Sequence, residues 1–139
     1  LSIICGTNQE LYTKLSRRHE GNAHVRVEGL VHNMPVWMQA SELALTKPGG
    51  LSTTEAAVSG LPMVLIDAVA GCEEHNLDFF LRLGAAETAD TPEKLAAMAL
   101  TLLASPERLN AMSAVARQLR GERTAAEKIY AALRGEPEA

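Results

Sequence analysis

Two stretches of this chain combine residue types and spacings suited to holding a polar ligand. The first is Lys47-Pro48-Gly49-Gly50, running directly into Leu51-Ser52-Thr53-Thr54-Glu55. It follows the apolar run Leu43-Ala44-Leu45-Thr46, expected as a strand, and opens a helix expected over residues 52–59. Paired glycines between a strand and a helix let the backbone approach a ligand closely. The unpaired N–H groups of a first helical turn, together with the helix dipole, favour phosphate there. In physical outline this is a diphosphate site, although a Gly-Gly pair also serves as a simple tight bend. The segment has neither the Gly-x-x-x-x-Gly-Lys-Ser/Thr of a P-loop nor the Gly-x-Gly-x-x-Gly of a dinucleotide fold, which disfavours an ATPase or a dehydrogenase.

Glu55 has two readings. Ser52-Thr53-Thr54-Glu55 fits a capping box, in which the carboxylate folds back onto the N-cap amide. A carboxylate one turn into a phosphate-binding helix also suits ribose hydroxyls farther along a nucleotide. The second stretch, residues 67–76, ends in Gly71-Cys72-Glu73-Glu74-His75-Asn76 and is expected to enter a helix over 73–83. Glu73 and Glu74 suit a helix dipole, whereas the Asn76 amide both donates to and accepts from sugar hydroxyls. His19 and His24 flank a loop and are expected in solvent. His32 and His75 fall near the cleft rim, and the four histidines form no nucleophile–base pair.

The elements that must position these residues follow from periodicity. Short apolar runs bounded by glycine alternate with helical segments: strands are expected over 1–5, 25–31, 43–46, 63–66 and 85–87, and helices over 10–19, 36–40, 52–59 and 73–83. That rhythm belongs to a Rossmann-like parallel sheet with helices on both faces, where ligands bind outside the strands' carboxyl ends. Thr91-Pro92-Glu93 and Ser105-Pro106-Glu107 each supply an N-cap, a proline and a first-turn acid. They start two helices, a third is expected over 121–133, and together these form a helical C-terminal cover. Residues 134–139 are expected as a frayed tail.

The 139 residues, 47% hydrophobic, suit a single domain spanning 1–139. A net charge of -4 with interspersed signs argues against a nucleic-acid partner. Cys5 and Cys72 form no metal or disulfide pattern and are expected as buried or half-buried thiols in a reduced, cytoplasmic setting. The apolar runs fall short of the roughly 20 residues of a membrane-spanning helix. The abrupt start at Leu1 is expected of a chain truncated at its N-terminus.

Three further signposts accompany the two loops: Cys5-Gly6-x-Asn8, Gly29-Leu30-Val31-x-Asn33-Met34 and Gly60-Leu61-Pro62-Met63. As an ordered set over roughly residues 3–86, these motifs resemble the C-terminal domain of the monogalactosyldiacylglycerol synthases and processive diacylglycerol glucosyltransferases. That family is related to the transferase that adds N-acetylglucosamine to the peptidoglycan lipid intermediate. The resemblance implies a GT-B architecture of which this is the donor (UDP-sugar) half.

It further implies an inverting hexosyltransferase at the inner face of the membrane, in peripheral contact with it, moving a hexose from UDP-glucose or UDP-galactose to a diacylglycerol-type acceptor. The UDP-sugar is then a substrate, with no cofactor and no metal. The acceptor site and the catalytic base belong to an N-terminal domain absent here, so this chain alone is expected to be inactive. By resemblance, the backbone around Val31 meets uracil and the amides of Gly50, Leu51, Ser52 and Thr53, beside Gly49, meet the diphosphate. Glu55 takes ribose, and Glu73 and Asn76 face the sugar. Cys72 departs from the Gln of many members, and the family's first strand and glycine loop are missing. A GT-B-type UDP-sugar epimerase and a non-catalytic nucleotide-binding regulatory module are the alternatives.

Overall fold

The computed structural model describes residues 1–66, 70–121 and 125–135. The chain divides into two compact units, Leu1–Met34 and Pro35–Ala139.

In the first unit β1 (Ser2–Ile4) and β2 (Arg26–Glu28) pair in parallel through the helix α1 (Gln9–Arg18), with Ile3 opposite Val27. Asn8 caps α1, its side chain accepting from the Leu11 amide at 2.9 Å. The second strand is shorter than the expected 25–31. Its ladder ends at Glu28, whose carbonyl accepts from Cys5 N at 2.8 Å, and the chain from Gly29 onward leaves the sheet. His19 is the C-cap of α1 and half-buried, a correction to the solvated position expected for it, while His24 is exposed.

After α2 (Met34–Gln39), whose first residue ends the first unit, the second unit runs β3 (Ala44–Thr46), α3 (Gly50–Val58), β4 (Met63–Leu65), α4 (Cys72–Leu83), β5 (Ala86–Thr88), α5 (Pro92–Leu103), α6 (Pro106–Arg117) and α7 (Ala125–Leu133). The three strands are parallel in the order β3-β4-β5, with Thr46 opposite Leu65 and Leu65 opposite Thr88. All of Met63, Val64 and Leu65 are fully buried, as in the middle strand of a parallel sheet.

Their side chains alternate between two cores. Met63 and Leu65 join Ala56, Ala57, Phe80 and Ala116, while Val64 joins Leu95, Ala99, Leu102 and Met112. Helices therefore cover both faces, and α6 reaches both cores through Met112 and Ala116. Each fully buried Val, Leu or Met contributes about 1.5–3 kcal/mol. An exposed pair such as Lys94 with Asp90 contributes about 0–1, so apolar burial decides this fold. Among the described residues no helix is long and apolar enough to cross a membrane.

The two Pro-initiated helices differ at their caps. Thr91 Oγ1 accepts from the Lys94 amide at 3.3 Å. Ser105 occupies the equivalent position before α6 without a side-chain cap bond, a departure from the expected symmetry. In the expected helix over 121–133, residues 122–124 lie outside the described residues, as do 136–139 of the expected tail. Arg134 and Gly135 continue from α7 as a turn, their amides donating to the carbonyls of Tyr130 and Ala132.

Thr91→Ala should lower unfolding stability by about 0.5–2 kcal/mol, whereas Ser105→Ala should change it little. Urea denaturation of the two variants checks the contrast.

Candidate functional site

The register that sets Thr46 beside Leu65 starts two loops next to each other at the carboxyl edge of the sheet. One leads into α3 and the other into α4; residues 67–69 of the latter lie outside the described residues.

Helix α3 begins at Gly50, two residues before the expected start, with Gly49 as its N-cap at φ -72° and ψ 139°. Ser52 is consequently the third helical residue and not a cap, which removes the capping box expected for Ser52 and Glu55. The physical reason lies at Thr53. This side chain is fully buried, its hydroxyl donates to the Gly49 carbonyl at 2.7 Å, and its amide donates to the same carbonyl at 3.1 Å. These bonds wind Gly50 and Leu51 into the helix despite glycine's poor propensity.

Thr53 is thus a structural residue. Its amide and hydroxyl are both engaged with the Gly49 carbonyl, unlike the amides of Gly50, Leu51 and Ser52, the other members of the expected diphosphate set. Those amides, with that of Gly49, have no intrahelical acceptor, and the glycine N-cap offers them no side chain. Leu51 is 83% exposed, and Ser52 and Glu55 are exposed as well. The first turn of α3, whose residues Gly50, Leu51 and Ser52 are exposed, therefore carries the positive dipole end of the helix and three N–H groups without an intrahelical acceptor.

Neither Gly49 nor Gly50 has a positive φ. An added Cβ at Gly49 meets nothing within 4 Å, and one at Gly50 meets only Asn76 Nδ2, at 3.8 Å. Backbone conformation and packing alike admit a side chain at both positions, which counts against the tight-bend reading. At Gly71 the reverse holds. Its φ of 98° and ψ of -122° demand glycine, and its amide donates to Glu74 Oε2 at 3.3 Å. Glu74 is thereby part of the α4 cap.

On the same helix Glu73 and Asn76 are half-buried. Asn76 Nδ2 donates to the Pro48 carbonyl at 2.9 Å, joining α4 to the loop before α3. Spacing in the sequence offered no signal for this link. Cys72, expected as a buried or half-buried thiol, is exposed at the start of α4, whereas Cys5 is buried. Val31 is half-buried and belongs to the first unit.

A parallel sheet covered on both faces, with an uncapped helix N-terminus at its carboxyl edge, defines a Rossmann-like α/β protein. Residues 1–129 match the glycosyltransferase family 28 C-terminal domain, and the chain belongs to that family. It is 37% identical over 117 residues to the processive diacylglycerol beta-glucosyltransferase of Staphylococcus carnosus (strain TM300), covering 84% of this chain and 29% of that protein. The enzyme of the same name from Staphylococcus aureus (strain Newman) is 34% identical over 110 residues, 79% of this chain and 28% of that one. The chain thus spans less than a third of the length of these relatives.

Among solved structures, MurG of Acinetobacter baumannii superposes with a TM-score of 0.75 at 23% identity, covering 97% of this chain and 41% of that one. The glycotransferase of kitacinnamycin gives 0.62 at 22%, covering 98% and 43%. These likenesses show that this chain has the fold of the matched part, about two fifths, of each of these GT-B proteins.

Because a Cβ at Gly50 would make only an ordinary van der Waals contact, 3.8 Å from Asn76 Nδ2, Gly50→Ala should leave the melting temperature unchanged or slightly raised, yet weaken pyrophosphate binding at the α3 N-terminus by obstructing its approach. Thermal melts beside calorimetric titration separate the two effects.

Proposed function

We propose that this chain is the donor-binding part of an inverting hexosyltransferase that moves glucose or galactose from a UDP-sugar to a diacylglycerol-type lipid. The observation that carries the reading is the uncapped N-terminus of α3, open at the carboxyl edge of the sheet in a chain of the glycosyltransferase family 28 C-terminal domain. The diphosphate is assigned to the amides of Gly50, Leu51 and Ser52 beside Gly49. Ribose is assigned to Glu55, and the donor sugar to Glu73 and Asn76. Uracil is assigned to the backbone at Val31, on the family resemblance alone. The name borne by the staphylococcal relatives supports a lipid acceptor, and with it peripheral contact with the inner face of the membrane.

In the reaction an acceptor hydroxyl, giving up its proton to a general base, attacks the anomeric carbon as the bond from that carbon to the β-phosphate oxygen breaks, so the anomeric centre inverts and UDP departs. Negative charge grows on the β-phosphate. The task of this chain is to hold that charge with preorganised amides and the helix dipole, roughly half an elementary charge at the α3 N-terminus.

With the capping box gone, Glu55 is an exposed side chain that makes no hydrogen bond or ion pair among the described residues. Glu55→Gln should therefore leave the melting temperature unchanged and weaken UDP binding about tenfold or more, since charge-assisted bonds to ribose hydroxyls are each worth roughly 1.5–3 kcal/mol. Pyrophosphate, which has no ribose, should bind as before or slightly better. Equal losses for both ligands would withdraw the ribose assignment.

For the activity itself, the full-length protein supplied with diacylglycerol and either UDP-glucose or UDP-galactose should yield a β-hexosyl diacylglycerol, identified by mass spectrometry and NMR of the extracted lipid. Release of UDP without any glycolipid would remove the lipid acceptor from the proposal.

A further inference from the structure

The bond between Asn76 and Pro48 spans 28 positions of sequence and is partly buried. Pro48 is itself fully buried, so water competes weakly for its carbonyl. That carbonyl precedes the Gly49 N-cap and lies outside the helical ladder, and among the described residues no backbone amide donates to it. Asn76 supplies the donor. Its Nδ2 also stands 3.8 Å from the position a Cβ would take on Gly50, so one carboxamide flanks both the residue before the N-cap and the first residue of α3.

Two consecutive glycines make a joint with much backbone entropy and no side chain to pack. A helix N-terminus hung on such a joint points its amides reproducibly only if something outside the joint holds it. We infer that Asn76 is a positioning residue for the Gly50, Leu51 and Ser52 amides, acting through Pro48 to fix the direction of the α3 N-terminus. The inference rests on the diphosphate reading proposed above and deepens it: one side chain of α4 sets phosphate affinity as well as facing the donor sugar. The two roles are compatible, because a carboxamide has a second N–H and an acceptor oxygen.

Asn76→Leu removes the donor at similar volume, and Asn76→Ala removes it without adding bulk. Both are made in the full-length protein and titrated with pyrophosphate, UDP and UDP-glucose. Positioning predicts a loss of about threefold to tenfold for all three ligands, pyrophosphate included, with a melting temperature lowered by a few degrees and a cooperative transition retained, since the buried Pro48 carbonyl loses its donor. A loss confined to UDP-glucose, or unchanged pyrophosphate affinity, overturns the inference and leaves Asn76 as a sugar contact only.

A ligand-free measurement separates this inference from the reading beneath it. The 15N order parameters of Gly49 and Gly50 should fall in both variants, and unchanged values overturn the tether. If the unmutated protein binds neither UDP nor pyrophosphate, the diphosphate reading fails, and the order parameters still decide whether Asn76 holds the loop.

Discussion

Met63, Val64 and Leu65 are wholly shielded from water, and the arrangement of the second unit depends on that burial. A strand covered on both faces and paired in parallel on both edges can be joined to its neighbours only by crossovers, here α3 and α4. Every crossover must leave the sheet at its carboxyl edge. Since β3 and β4 are neighbours in register, the loops that follow them emerge together, and the polar residues they carry are gathered without any attraction between those residues. The surface ion pairs are too weak to direct this arrangement.

The α3 N-terminus shows how such a fold leaves a helix end without a side-chain cap at small cost. Glycine at an N-cap is only a few tenths of a kcal/mol poorer than Ser or Asp, yet it leaves the first-turn amides uncovered. Thr91, before α5, does the opposite and closes its own helix end with its hydroxyl. In α3 the stabilising bonds come from inside the helix, where Thr53 holds the Gly49 carbonyl through both amide and hydroxyl. In α4 the cap is likewise internal, Glu74 reaching back to Gly71.

The alternation of short apolar runs with helical segments, and thus the parallel α/β class, was legible in the sequence because burial and periodicity are local signals. The boundaries were less so. Ser52 has the side chain of a cap and glycine is a poor helix former, so local propensity starts α3 at residue 52. The buried Thr53 overrides propensity and moves the start to Gly50. Apolar character extends beyond Glu28 in the segment 25–31, but β1 offers partners for only three residues of β2. Ser105 has the sequence of a cap without forming its bond, since cap geometry depends on how the preceding turn enters the helix.

By itself, the sequence determined the layer pattern, the loops at which ligand chemistry would gather, and the motif set that marks the glycosyltransferase family 28 C-terminal domain. These are properties of residue type and spacing along the chain. Only the tertiary structure decided that Thr53 belongs to the core, that Glu55 has no cap to make, that Glu74 has one, and that Asn76 reaches Pro48. Each of those outcomes depends on which atoms meet across helices or within a wound turn. Hydrogen bonds between residues 28 positions apart, as in the last case, arise from packing that no local pattern encodes.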